Sequence, residues 1–226
     1  MSHLGKIESL LLPSPSGKLE VQWKHQPVPA GRMVVICHPL STHGGTMHNK
    51  VVFHASKAFF ENGFDVIRFN FRGVGQSSGS FDEGRGEQDD LKIVLHEARK
   101  RSLQTEIVLC GYSFGSFVAA SVARSEAVAA LVLIAPPAEH YAFDFLRQLR
   151  LPTVLVFAEN DAFSSAAQRS ELGGWVGAPN LKVTLPADHF FESQLDALQR
   201  LLSGLAIPFI QFSLTGNAAP SREGQV

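Results

Sequence analysis

The chain has 226 residues, of which 45% are hydrophobic and 18% charged. That balance excludes a mostly disordered chain, which would be poor in apolar residues and rich in charge, and the length suits one domain. Twenty Lys and Arg stand against 21 Asp and Glu, a net charge of −1, so no general basic field exists to draw in nucleic acid or anionic lipid.

Two cysteines, Cys37 and Cys110, are too few for a disulfide framework. Each closes an apolar run, where a buried free thiol is common, and reduced thiols suit a cytoplasmic protein. Met1 to Leu12 holds one Lys and a very short apolar stretch, unlike a signal peptide. No apolar run reaches about 18 residues, so no membrane span is expected.

Ile7 to Leu12 and Leu19 to His25 are short strand-like runs around Pro13-Ser14-Pro15-Ser16-Gly17, which predicts a β-hairpin. Pro27 and Pro29 then break the chain. Arg32 to Cys37 reads as a strand buried on both faces. Lys50 to Asn62 carries Val51, Val52, Ala55, Ala58 and Phe59 at helical spacing, and Gly63 ends that helix. Phe64 to Phe71 is a strand. Gln88 to Arg101 is a helix with Leu91, Val94, Leu95 and Ala98 on one stripe, and its late cations Arg99, Lys100 and Arg101 suit the helix dipole. Then follow the strand Glu106 to Cys110, the helix Phe114 to Arg124 and the strand Val128 to Ile134. The strand Thr153 to Phe157, the helix Ala166 to Leu172, the strand Leu181 to Leu185 and the helix Phe190 to Leu205 complete the order.

Alternating strands and helices demand a mainly parallel sheet, because each helix returns the chain across a face. The expected fold is therefore α/β: a mostly parallel eight-stranded sheet with helices on both faces and an N-terminal antiparallel hairpin. Residues 1–207 form a single domain, and 208–226 form a C-terminal extension that is a loose tail from about Asn217. Ala135 to Leu151, at 17 residues, is too short for a large cap domain.

Ligands of such sheets bind at the carboxyl ends of the strands. After the strand ending at Cys110 comes Gly111-Tyr112-Ser113-Phe114-Gly115, followed at once by a helix. This G-x-S-x-G pattern forces the serine into a tight turn, so the residues two positions to either side must lack bulk. Its Oγ then stands above the sheet at a helix N-terminus, where negative charge is favoured. A nucleophilic serine needs a base, and the base an orienting carboxylate. His189 follows the strand Leu181 to Leu185, and Asp161 follows Thr153 to Phe157, with Glu159 as the reserve acid. Asp188, adjacent to His189, could hardly turn back onto that ring. A tetrahedral oxyanion needs two donors. The N–H groups of Phe114 and Leu40 are nominated, the latter from the loop after Cys37.

His43, His48 and His54 lack a matching second cluster, so no metal is expected. The loop Asn70 to Gly79 is rich in glycine but lacks a Gly-Lys-Ser/Thr ending, so no phosphate-binding cofactor is expected either. Its Arg72 is expected to brace the loop. Phe143, Phe145 and Phe190 could line an acyl pocket, yet with 17 Phe in the chain ordinary core packing is the better reading for any one of them.

Five stretches together resemble the α/β-hydrolase superfamily. They are Gly44-Gly45-Thr46-Met47 with Asn49-Lys50-Val51, Arg68-Phe69-Asn70-Phe71-Arg72-Gly73-Val74-Gly75, Phe81-Asp82-Glu83-Gly84-Arg85-Gly86-Glu87, the Ser113 pentapeptide, and His189-Phe190-Phe191. They span about residues 32 to 205 and are similar to a group of small lidless bacterial serine hydrolases, dienelactone-hydrolase-like in size. The group usually reads His-Pro-His-Pro-Leu where this chain has His38-Pro39-Leu40-Ser41-Thr42, which changes the wall beside the oxyanion loop. The resemblance implies a carboxylesterase-like enzyme whose partner is a small-molecule ester. A thioesterase or small-lactone hydrolase would use the same three side chains. A ligand-binding protein on the same fold, without turnover, is the reading of another class.

Overall fold

The computed structural model describes residues 5–28, 30–102 and 105–215 with their side chains, and residues 222–225 as backbone. The described strands are β1 (Ile7–Ser14), β2 (Gly17–Lys24), β3 (Arg32–Cys37), β4 (Asp65–Phe69), β5 (Glu106–Tyr112), β6 (Ala130–Ile134), β7 (Thr153–Asn160), β8 (Asn180–Asp188) and β9 (Arg222–Gln225). They form one sheet in the order β1-β2-β4-β3-β5-β6-β7-β8-β9. The hairpin β1–β2 and the pair β2–β4 are antiparallel, and the later pairs are parallel.

The helices are α1 (Lys50–Glu61), α2 (Arg85–Arg101), α3 (Phe114–Val122), α4 (Ala166–Trp175), α5 (Leu195–Leu201) and α6 (Ile207–Leu214). Successive side chains of a strand point to opposite faces, and the core divides accordingly. Val34, Ile36, Val108, Cys110, Val132, Ile134, Val154 and Val156 pack with α1, α5 and α6. Met33, Val35, Cys37, Ile107, Leu109, Leu131, Leu133 and Leu155 pack with α2, α3 and α4. Each such fully buried aliphatic side chain stabilises the fold by about 1.5–3 kcal/mol before entropy is counted. The same alternation puts the unpaired thiols of Cys37 and Cys110 on opposite faces of the sheet.

Local chemistry explains where elements start and stop. The Asn49 side chain accepts from Val51 N at 2.9 Å and opens α1. α2 begins earlier than its apolar stripe because the buried Glu87 carboxylate accepts from Gly84 N at 2.8 Å and Asp82 N at 2.9 Å. The Ser165 hydroxyl and the Gln168 side chain close a reciprocal cap on α4.

Three expectations are corrected. The helix expected over Phe190 to Leu205 begins at Leu195 and does not stop before Pro208. Pro208 offers no N–H to the carbonyl four residues back, so the ladder widens into a π turn over Leu202–Ala206 and resumes as α6. This run, Leu195–Leu214, is long and apolar enough by length and composition to cross a membrane. Its inner stripe of Leu198, Leu201, Leu202, Ala206, Ile207 and Ile210 is buried against the sheet and α1. Lastly, the stretch expected as a loose tail contains β9, paired in parallel with β8. Residues 216–221 and 226 of that tail lie outside the described residues, as do Pro29 and residues 1–4.

Candidate active site

β5 ends at Tyr112, and the backbone turns sharply into α3 at Ser113, whose φ of 52° and ψ of −124° are far from those of an ordinary L residue. The turn is held on both sides. Ser113 N donates to Ile134 O at 2.9 Å, and Ser113 O accepts from Ser116 N at 2.8 Å and Ser116 Oγ at 2.6 Å. Packing there is too close for side chains. A Cβ on Gly111 would collide with the Gly115 carbonyl, and one on Gly115 with the Cys37 carbonyl. The two glycines therefore let the elbow sit against β3, and the backbone strain is stored at the residue whose Oγ is presented.

β7 and β8 both run three residues farther than expected and pair as far as Asn160 and Asp188. Asp161 and His189 consequently leave the sheet side by side, next to Ser113. Ser113 Oγ lies 2.8 Å from His189 Nε2, and His189 Nδ1 lies 2.9 Å from each carboxylate oxygen of Asp161. All three are at least 91% buried. Asp161 is fixed in turn by accepting from Phe163 N at 2.8 Å, and Tyr112 Oη donates to His189 O at 3.0 Å. Burial raises the Tyr112 pKa, which keeps the hydroxyl protonated as a donor. Glu159, the reserve acid, is exposed and outside this group, and the Asp188 carboxylate turns away to accept from Phe190 N at 3.1 Å.

Phe114 and Leu40 line the same hollow as Ser113 and His189. The Phe114 N–H begins a helix and has no carbonyl four residues back within that helix. Leu40 belongs to the peptide Pro39–Leu40, which His38 holds in place. His38 is buried, and its Nε2 accepts from Phe71 N at 3.0 Å, so Nδ1 carries the proton and donates to Pro39 O at 2.7 Å. Burial pulls the His38 pKa down to about 4, so the ring is neutral at pH 7. In a planar trans peptide, N–H and C=O point in opposite directions. Holding Pro39 O toward His38 therefore aims Leu40 N–H away from it. Sequence gave one signal for this residue, its place at the carboxyl end of β3, but not the tautomer.

The hollow over Ser113 measures about 660 Å³. Its aromatic lining is Phe81, Tyr112, Phe114, Tyr141, Phe163 and Phe190. Of the three phenylalanines proposed for an acyl pocket, only Phe190 lies there. Phe143 is 1% exposed in the core and Phe145 packs against that core, because the 3₁₀ turn Asp144–Gln148 folds the segment down onto α3 and α4. Among the lining residues Glu83 has the one carboxylate, and no Lys or Arg is present. Arg72 braces its loop as expected, with Nε and Nη2 on the two oxygens of the buried Asp90 at 3.1 and 2.8 Å. His54 contacts Gln199 at 3.0 Å, and His43 sits at the rim of the hollow. No group of three His, Cys, Asp or Glu side chains among the described residues could hold a metal ion.

A fixed serine hydroxyl, an imidazole and a carboxylate under an open hollow, with the backbone amides of Leu40 and Phe114 in its wall, can support acyl transfer. Comparison with known proteins agrees with that frame. The family model for the alpha/beta hydrolase fold matches residues 33–166, more than half of the chain. An alpha-beta serine hydrolase homologue from Coxiella burnetii is 38% identical with a TM-score of 0.83, covering 87% of this chain and 96% of that one. XC6422 from Xanthomonas campestris, an a/b serine hydrolase without lid, is 33% identical with a TM-score of 0.83, covering 95% of this chain and 97% of that one. The uncharacterized protein RP471 of Rickettsia prowazekii is 30% identical over 205 residues, 85% of this chain and 86% of its own length. With its strained strand-to-helix turn at Ser113, its sheet order and, among the described residues, no cap over the hollow, the chain belongs to the α/β-hydrolase family and is similar to its small lidless members.

Proposed function

We propose that this protein is a serine hydrolase that cleaves small acyl esters through an acyl-enzyme intermediate. The observation that carries the reading is the unbroken relay from Ser113 Oγ through the His189 ring to Asp161, at 2.8 and 2.9 Å, under an open hollow. Ser113 Oγ attacks the ester carbonyl while His189 Nε2 takes its proton. Asp161 holds the Nδ1–H tautomer and stabilises the imidazolium. The N–H groups of Phe114 and Leu40 receive the oxyanion. His189 then gives its proton to the departing alcohol, and a water molecule, deprotonated by the same nitrogen, releases the acid.

The aromatic wall, without Lys or Arg among its lining residues, favours an uncharged acyl or aryl group over an anionic one, and the openness of the hollow favours small or exposed substrates over long buried chains. The reading places the reaction in the cytoplasm, in keeping with the reduced thiols Cys37 and Cys110, with the ester as its partner and neither nucleic acid nor membrane required.

Labelling by a fluorophosphonate probe, followed by a panel of acetyl, butyryl, thioester and lactone substrates, tests this function. We expect one label, at Ser113, and turnover that disappears in Ser113→Ala. An unlabelled wild type, or a Ser113→Ala variant that hydrolyses the ester at the wild-type rate, overturns it. The panel separates esters from thioesters and lactones.

A further inference from the structure

A second hollow, of about 700 Å³, opens between α1 and the strands β1, β2 and β4, and it shares no lining residue with the first. Its wall carries Lys24, Lys57 and Arg68 against one carboxylate, Glu61, and Lys57 already holds that carboxylate at 3.9 Å. In the β2–β4 register Gln22 faces Arg68 and Lys24 faces Val66, so Lys24 and Arg68 are diagonal neighbours on one sheet face. Both are half-buried, and among the described residues neither forms an ion pair.

Arg68 gives N–H groups to two neutral acceptors, Gln22 Oε1 at 2.9 Å and Met47 O at 3.3 Å. The guanidinium has five such groups. The Lys24 ammonium rests 3.7 Å from the centre of the Phe60 ring. Burial lowers the pKa of both groups; the charge of Arg68 lowers that of Lys24 further, and the nearby Glu61 carboxylate offsets part of this. Two like charges side by side in a partly dry wall repel each other, and a bound anion would turn that repulsion into attraction. Around them the wall includes exposed apolar side chains: Phe53 is 52% exposed and Ile7 56% exposed.

We propose that this hollow binds a small organic anion, its phosphate or carboxylate head between Lys24 and Arg68 and its apolar body against Phe53, Phe60 and Ile7. Neither charge alone nor apolar surface alone accounts for the arrangement. Inorganic phosphate would leave the aromatic wall open, and a neutral molecule would leave the two cations unpaired.

Titration calorimetry with phenyl phosphate tests the site, using wild type, Lys24→Gln and Arg68→Gln. Wild type is expected to bind one equivalent, and Lys24→Gln to weaken binding about tenfold by loss of one charge-assisted contact. Inorganic phosphate is expected to bind at least about tenfold more weakly than phenyl phosphate for want of the buried ring, and benzyl alcohol not to bind. Because Arg68 also holds Met47 O, Arg68→Gln can lose stability, so the outcome is decided on Lys24→Gln, with an unchanged melting temperature as the check on its fold. The proposal is overturned if wild type does not bind, if Lys24→Gln binds as tightly as wild type, or if phenyl phosphate binds no better than inorganic phosphate. Sedimentation with phosphatidylglycerol vesicles in the absence of phenyl phosphate binding would make the ligand a lipid surface, which also overturns it. No arm depends on turnover, so loss of the esterase reading leaves this one standing.

Discussion

The two hollows are nearly equal in size, about 660 and 700 Å³, but they are built in opposite ways. The one over Ser113 is assembled from loop ends beyond the carboxyl edge of β3, β5, β7 and β8. Ser113 and Glu83, with φ of 52° and 53°, line it, and Ala135 and Phe191, also at positive φ, stand within two residues of its wall. The one beside Arg68 is lined mainly by strand and helix faces, and its one residue at positive φ is a glycine, Gly63. Backbone strain thus collects where several loops must aim atoms at one point. A charged patch needs only the two-residue period of a strand and a favourable register. The first hollow is precise in geometry and poor in charge, and the second is rich in charge and relaxed in geometry.

Four measurements would break or sharpen that contrast. The largest effect should come from Asp161→Asn, which keeps the shape of the site but favours the wrong His189 tautomer. We expect kcat on a short acyl ester to fall about 10⁴-fold, while the melting temperature and phenyl phosphate binding stay as in wild type. A kcat near that of wild type would remove Asp161 from the chemistry. Next is Leu40→Pro. Leu40 has φ of −54°, within the range proline adopts, so this change deletes the N–H with little disturbance of that residue's backbone. Loss of one oxyanion donor should lower kcat about 10²- to 10³-fold with KM nearly constant. A rise in KM alone would mean that Leu40 contacts the substrate without serving the transition state.

The third measurement concerns pH. His38 titrates near 6.5 in an unfolded chain and at about 4 in the fold, so the unfolded chain binds this proton first as pH falls. The stabilisation is therefore complete above about pH 6.5. It is lost progressively as pH falls toward about 4, by about 3 kcal/mol in all. Denaturant midpoints across that window should show the loss in wild type and lack that component in His38→Asn, which keeps a donor and an acceptor without titrating. An identical pH slope in the two proteins would show that another group dominates. The smallest effect is expected of Glu83→Gln. Its side chain is 75% exposed, so its charge is screened. An ester bearing an ammonium group should lose about threefold in kcat/KM relative to a neutral isostere. No change in that ratio would mean that the one carboxylate of the hollow over Ser113 does not select substrates.

Much of this site could be read from the sequence, for a physical reason. Ser113, Asp161 and His189 each follow an apolar run, and the carboxyl ends of parallel strands all meet at one edge of the sheet. Position along the chain therefore encodes position in space. The same logic does not reach Phe143 and Phe145, for which core packing, the better reading for any one phenylalanine of this chain, is what the structure shows. Both lie in a segment without strand or α-helix periodicity, so nothing local says which of its aromatics face the hollow and which face the core. Phe81, Tyr141 and Phe163 were missed for that reason. The α5–α6 run was misjudged because Pro208 usually ends a helix, whereas here the inner stripe is anchored on both sides of the proline and a π turn is the smaller cost.

What the sequence by itself determined was the local grammar: which runs are strands, which are helices, where a turn demands glycine, and hence a mainly parallel sheet with Ser113, Asp161 and His189 at its carboxyl edge. What only the tertiary structure decided was orientation. The direction of the Leu40 N–H depends on His38, whose tautomer depends on Phe71 N, 33 positions away. The pairing of Lys24 beside Arg68 depends on the register between β2 and β4. Hydrogen bonds and charges act over a few ångströms between residues remote in the chain, and no local pattern records which remote residue will be the neighbour.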